Sequence, residues 1–254
     1  MMNRNTLLII CIVVLFAYHF YLEYDADKHA QETFDNAKVE FFSNIHDIYY
    51  INLEHRNDRN DEFLSNFSPT DQNRIHRVDG VYEKENGALG CLQSHIKALE
   101  MAVEIGSKED EGDHNILICE DDFYIKDIFY CNRMLEFAFR TLPHWDVIML
   151  AHNTHDSKET PYVTEKGEKI IKIVHSATGS GYLIKKSYIE PLLEIFKKDY
   201  DNFMSTNKWI PEYCNDVSWV TLQRKDEWYA FVPTVALQRS SYSDIQKGFV
   251  DYGV

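Results

Sequence analysis

The run "ILICEDDFYI", residues 116–125, carries four apolar residues straight into Glu120, Asp121 and Asp122. Like charges a few ångströms apart repel, and desolvation at a strand end strengthens that repulsion. A divalent cation relieves it. Mg2+ and Mn2+ take one or two carboxylate oxygens, keep several waters and let phosphates complete the shell. Strand alternation sets Glu120 and Asp122 on one face and Asp121 on the other. The expectation is a cation at Glu120 and Asp122, directed at a nucleotide diphosphate. A solvated acidic turn is the ordinary alternative.

Three more stretches carry candidate chemistry. In "YYINLEHRNDRNDEF", residues 49–63, Arg56 and Arg59 follow an apolar segment closely, where guanidinium forks can hold phosphate oxygens. The competing reading is the exposed start of an amphipathic helix. "GALGCLQSHIKALEMA", residues 87–102, places Ser94 and His95 one turn into a helix. A buried, satisfied histidine competes there with a ligand or general base. "CNDVSW", residues 214–219, sets Asp216 among apolar and aromatic neighbours, which raise a carboxylate toward the range of a general base. A helix N-cap is the alternative. Trp209, Tyr213 and Trp219 nearby would suit stacking on a sugar face.

These residues need elements to hold them. Ile48–Leu53, Ile116–Cys119, Val147–Leu150, Tyr182–Ile184 and Trp228–Val232 are short apolar runs suited to buried strands. Leu92, Ile96, Leu99 and Val103 form a helical stripe opened by Gly87 and Gly90. In "KSYIEPLLEIF", Ser187 and Glu190 have capping-box spacing, and Ile189, Leu193 and Phe196 share one face. "KEDEGDH", residues 108–114, reads as a solvated loop. Strands alternating with helices imply an α/β domain with a mostly parallel central sheet covered by helices. Ligands in such folds sit beyond the carboxyl ends of the strands, near a switch in strand order, and Glu120 to Asp122 stand at such an end.

Charge narrows the partners. With 26 Lys plus Arg against 41 Asp plus Glu, the net charge of −15 excludes a broad nucleic-acid or anionic-membrane surface but not a local phosphate pocket. No C-x-x-C or zinc-spaced Cys/His cluster occurs, so the cysteines read as buried free thiols. Asn66–Ser68 is a glycosylation sequon followed by Pro69.

The N-terminus differs from the rest. Residues 6–22 form an apolar run near the lower end of the roughly 17–25 residues that span a bilayer. Tyr18, Phe20, Tyr21 and Tyr24 cluster at one end, and Arg4 precedes the run while Glu23, Asp25 and Asp27 follow it. Residues 1–24 are therefore expected to be an uncleaved signal anchor of type II orientation, with the body lumenal or extracytoplasmic. A cleaved signal peptide competes, although no small-x-small site follows the run. Residues 25–44 read as a polar stalk and residues 45–254 as one domain.

The order of the motifs is more specific than any one of them. "YYINLEHRNDR", "GALGCLQSHIKALEMA", "ILICEDDF", "DVIML", "HSATGSGYLIKKSYIEPLL", "NDVSW" and "PTVALQRSSYSDI" follow one another in a succession that resembles family 25 glycosyltransferases, over about Ile48 to Ile245. That family includes lipooligosaccharide and procollagen galactosyltransferases. The resemblance implies a GT-A-like fold, a nucleotide-sugar donor of the UDP-galactose kind, a Mn2+ or Mg2+ ion and inverting transfer to a hydroxyl. Its acceptors are glycans, glycolipids or glycoproteins. It places Asn52 and Arg59 by the nucleotide, with Arg56 beside them, and puts Glu120, Asp121 and Asp122 at the metal motif, with Asp122 as direct ligand. Ser94 and His95 match a family pair, Asp216 a position assigned to acceptor activation, and Gln238, Ser243 and Asp244 the closing polar segment. Two departures stand out. Ala88 replaces the usual Glu of G-E-x-G-C, and all 11 histidines lie at or before His175, so no later residue can serve the metal as a His, and either Asp244 substitutes or water finishes the shell. Two other readings compete: a metal-dependent phosphohydrolase, and an inactive membrane-tethered protein that binds sugar or nucleotide.

Overall fold

The structure is a computed structural model that describes residues 41–106, 112–206, 208, 210–243 and 248–251. The expected anchor at 6–22, most of the stalk, most of the 108–114 loop, Trp209 and Asp244 lie outside these residues. Among the described residues no helix is long and apolar enough to cross a membrane.

The first strand, β1 (Asp47–Asn52), is buried at every position. It leads to α1 (Asn57–Leu64), a 3-10 turn (Pro69–Arg74) and β2 (Ile75–Asp79). Helix α2 (Gly87–Gly106) precedes β3 (Asn115–Glu120) and the short β4 (Phe123–Ile125). Next come α3 (Ile128–Thr141), β5 (Val147–Lys158), β6 (Lys169–Lys185) and α4 (Ile189–Thr206). Short helices α5 (Asn215–Ser218) and α6 (Val220–Lys225) lead to β7 (Trp228–Val232), β8 (Ala236–Gln238), β9 (Ser241–Ser243) and β10 (Gly248–Val250).

The central sheet has the order β2-β1-β3-β6-β5-β7. β1 runs parallel to both β2 and β3, and β5 parallel to β7, while β6 is antiparallel to each neighbour. Five of the six strands thus point one way, and the expected mostly parallel α/β sheet is present with one reversed strand. Period-two alternation sorts the side chains into two cores. Tyr49, Ile51, Ile116 and Ile118 face α2 and α4, through Leu92, Ile96, Leu99, Ile189, Leu193 and Phe196. Ile48, Tyr50, Leu117 and Cys119 face α1 and α3, through Phe63, Cys131, Met134 and Leu135. Helices cover both faces, as runs buried on both sides require. Asp127 caps α3 by accepting from the Phe129 and Tyr130 amides.

Several expectations shift in detail. Val103 is 40% exposed, so the buried stripe of α2 ends before it. Ser187 and Glu190 form no capping box. Ser187 sits inside a 3-10 turn (Lys186–Tyr188), and its amide donates to Asp113 instead. β5 and β6 run far beyond the expected apolar runs, pairing with each other out to Lys158 and Lys172, while Lys169–Lys172 of β6 also pairs with β7. Packing starts inside the segment read as a stalk. Phe41 is buried, its amide donates to Asp71, and Arg74 donates to the carbonyls of Phe41, Phe42 and Ile45. The sequon is folded in: Asn66 Nδ2 is buried, and Ser68 caps the Pro69–Arg74 turn. Cys91, Cys119, Cys131 and Cys214 are free thiols.

Candidate active site

β1 has β2 on one side and β3 on the other, so the chain switches direction of sheet growth beside their carboxyl ends. In α/β sheets that is where a crevice opens. A cavity of about 410 Å³ lies there, lined by β1 and β3 ends, the start of α2, the Ala177–Gly179 segment, Cys214–Asp216 and the C-terminal segment. Its size falls within the range of small-ligand sites.

The strand pattern holds to Glu120 and then breaks. Cys119 faces α1 and α3, so Glu120 faces α2, where His95 Nε2 lies 3.2 Å from its Oε1. β3 ends at Glu120, and Asp121 and Asp122 form a turn. Strand alternation therefore stops at Glu120 and does not describe Asp122, although Glu120 and Asp122 still line one cavity and interact. Asp121 and Asp122 instead share Arg59, whose Nη1 is 2.7 Å from Asp121 and 3.4 Å from Asp122. The β4–β8 ladder pairs Phe123 with Gln238, which brings Gln238 Nε2 within 3.3 Å of Asp122 Oδ2. Asp122 Oδ1 is buried with no hydrogen-bond partner among the described residues.

The electrostatics follow from this layout. Burial, then the Glu120 charge, push Asp122 up to about 8, against the pull of Arg59. Burial also raises Asp121, although Arg59 and Asn52 oppose it. Glu120 goes the other way: burial would raise it, but the hydrogen bond and charge of His95 hold it below the usual range. Asp216 is raised chiefly by burial, and it accepts weakly from the Thr178 amide at 3.5 Å. The described lining sets Glu83, Glu120, Asp121, Asp122 and Asp216 against Arg59 and Arg239, so these acids cannot all stay charged without further positive charge.

Among the residues expected from sequence, Arg59, Ser94, His95, Glu120, Asp121, Asp122, Asp216 and Gln238 line this cavity. Asn52 does not. It lies behind, with Nδ2 donating to Asp121 at 2.8 Å and Oδ1 accepting from Arg77, so it positions Asp121 rather than meeting a ligand. Arg56 is also outside the lining, because its guanidinium grips Asp58 at 2.9 Å and reaches the Tyr242 carbonyl. Ser94 Oγ donates to the Gly90 carbonyl and accepts from the Val81 amide, pinning the loop after β2 to α2. Only glycine fits at 90, since a Cβ would stand 2.5 Å from the Val81 carbonyl oxygen. Arg59 is not a free phosphate fork, because its other nitrogen donates to Ser241 Oγ and the Tyr242 carbonyl. Ser243 pairs with Gly248 in the β9–β10 ribbon. Trp219 is fully buried, with Nε1 donating to the Ser176 carbonyl, so it is core and not a sugar platform.

Sequence reasoning missed Cys91, Asn215, Thr178, Gly179 and Ser241, all of which line the cavity. Thr178 has φ +78°, a left-handed conformation rare for a β-branched residue. The small-residue run "SATGSG" was the available signal for a close-packed site wall. Ala88 also lines the cavity.

No protein-family model and no curated protein sequence matches the chain. Among solved structures it is similar to a glycosyltransferase involved in glycosylation of the major capsid of PBCV-1, at 12% identity and TM-score 0.41, over 79% of this chain and 95% of that one. It is also similar to mannose-1-phosphate geranyltransferase from Thermus thermophilus, at 8% identity and TM-score 0.37, over 75% of this chain and 58% of that one. Both likenesses are distant, and the architecture stands on the chain's own sheet order and register.

Proposed function

We propose that the chain is a glycosyltransferase that moves a hexose, galactose by resemblance, from a UDP-sugar to a hydroxyl of a glycan, glycolipid or glycoprotein, with inversion and with a divalent cation. The observation that carries the reading is the buried, unpartnered Asp122 Oδ1 in an acid-rich cavity at a strand-order switch. An isolated carboxylate oxygen is costly to bury, and a hard cation is the partner that suits it. The residues present therefore fit Mn2+ or Mg2+. Asp122 would hold the ion, with the outlying Asp244 as a further oxygen and Glu120 close by. When bound, such an ion neutralises charge developing on a departing diphosphate.

The chain's own groups have distinct tasks in this reading. Arg59 and Gln238 fix Asp122 from two sides, and Asn52 fixes Asp121. Asp216 borders the same cavity, and burial raises its proton affinity, which suits a base that takes the acceptor hydroxyl proton as the sugar leaves its diphosphate. His95 holds Glu120 ionised at the back of the pocket. Inversion follows from a single displacement in which the acceptor oxygen attacks opposite the leaving diphosphate.

The test combines binding and turnover. A thermal-shift screen of UDP-sugars with Mn2+ should raise the unfolding temperature for one donor and lose that rise in chelator. Asp122→Asn and Asp216→Asn should each abolish transfer while leaving the protein folded. Near-normal turnover in either variant removes that residue from the site. Release of sugar 1-phosphate and UMP at the same rate with and without acceptors would instead favour a phosphohydrolase.

A further inference from the structure

Cys91 and His95, which also line the cavity, are one helical turn apart on α2 and so share a face. Glu120 meets them from the end of β3. Cys91 Sγ is 3.9 Å from Glu120 Oε1, His95 Nε2 is 3.2 Å from the same oxygen, and the three donor atoms lie within 4.8 Å of one another. Zinc-class bonds to sulfur, nitrogen and oxygen of about 2.0–2.3 Å give tetrahedral edges of about 3.3–3.8 Å. The spacing already matches such a shell to within a few tenths of an ångström at the two measured edges.

Two independent features support a built site. The far nitrogen of His95, Nδ1, is 3.3 Å from Tyr182 Oη, the outer-shell partner that fixes the tautomer and leaves Nε2 as the donor. Asn215 is 5% exposed and lines the cavity; its Oδ1 is 3.7 Å from Cys91 Sγ, while its Nδ2 is buried without a partner among the described residues. The amide oxygen of Asn215 thus stands beside the Cys91 sulfur, within reach of whatever that sulfur binds.

We infer that Cys91, His95 and Glu120 form a binding site for one thiophilic divalent cation of the zinc class, with its fourth position open toward Asn215 and the cavity. Thiolate, carboxylate and neutral imidazole give two negative charges, which a divalent ion balances. Binding forms the Cys91 sulfur–metal bond and releases the thiol proton to solvent, while the imidazole proton resides on Nδ1. Nothing is oxidised or reduced. This site differs from the oxygen site at Asp122 in its sulfur and nitrogen donors, although Glu120 adjoins both, and its test reads metal binding and not sugar transfer.

Cobalt tests it directly. Titration of the full chain with Co2+ should give a near-ultraviolet thiolate-to-cobalt charge-transfer band that saturates at one equivalent and is displaced by Zn2+. Cys91→Ser should abolish the band, whereas Asp122→Asn and Cys214→Ser should keep it. Absence of the band in the wild-type chain, or its survival in folded Cys91→Ser, overturns the inference. The unmodified chain offers a second readout: Zn2+ at about ten times its dissociation constant should slow alkylation of Cys91 by iodoacetamide about tenfold. An unchanged alkylation rate also overturns it. A band that persists in Asp122→Asn while transfer is lost would separate the two sites.

Discussion

The acidic turn has two flanks held by different chemistry. On one, Asp121 and Asp122 meet Arg59, a permanent cation that cannot serve as a metal ligand. On the other, Glu120 meets His95 and Cys91, groups that titrate and can bind metal. The Arg59 flank is closed, with side-chain exposures of 14% for Arg59, 7% for Asp121 and 8% for Asp122. The His95 flank is open at one end, because His95 is fully buried while Glu120 keeps 24% exposure. A closed flank fixes geometry and stores electrostatic cost when it is broken. An open one tolerates loss, since its carboxylate can turn to water.

That contrast predicts unequal penalties. Arg59→Met leaves two buried carboxylates without their cation and should cost about 3–5 kcal/mol of stability, read from denaturant unfolding. His95→Gln keeps a hydrogen-bond donor near a partly exposed Glu120 and should cost about 1–3 kcal/mol. Equal losses, or a larger one at His95, would show that the Arg59 flank is not the closed one. Mn2+ should recover part of the Arg59→Met loss, because it supplies positive charge at Asp122.

The flanks also differ in pH response. Asp122 holds its proton to about 8 in the folded chain, whereas an unfolded Asp releases it near about 4. Between those values the folded state binds more protons, so this group makes stability fall as pH rises. Glu120 has the opposite sign: its lowered affinity favours the folded state above the unfolded carboxylate range and loses that contribution in acid. In chelator, Asp122→Asn should therefore flatten the decline between pH 5 and pH 8, and it should stabilise the chain at the upper end. An unchanged slope in the variant would mean that Asp122 is ionised throughout.

The sequence made part of this visible and hid the rest for physical reasons. Doubly buried strands are continuous apolar runs, so Ile48–Leu53 and Ile116–Cys119 were legible, and in the structure alternation continues to Glu120, which faces α2. The same alternation failed two residues on, because it describes a strand and Asp121–Asp122 is a turn. β2, "IHRVD", buries only Val78 and has too little apolar character to stand out. The pairing of Cys91 with Glu120 joins residues 29 apart, and that of Arg59 with Ser241 joins residues 182 apart. No local period encodes such contacts. His95 was legible as a candidate, but only the fold shows that its partner is Glu120.

The two arginines of α1's first turns give the smallest effect and the sharpest control. Three residues apart, Arg56 and Arg59 have the same charge and both touch the Tyr242 carbonyl. Arg59 neutralises buried Asp121 and Asp122, whereas Arg56 pairs with Asp58, whose side chain is 67% exposed. An ion pair with one partner in water is worth about 0–1 kcal/mol. Arg56→Ala should therefore lower stability by no more than that and leave the donor KM unchanged, while Arg59→Met fails on both counts. A rise in donor KM for Arg56→Ala without loss of stability would mean that this guanidinium leaves Asp58 to hold the nucleotide. The phosphate site would then extend outside the cavity, onto the exposed start of α1.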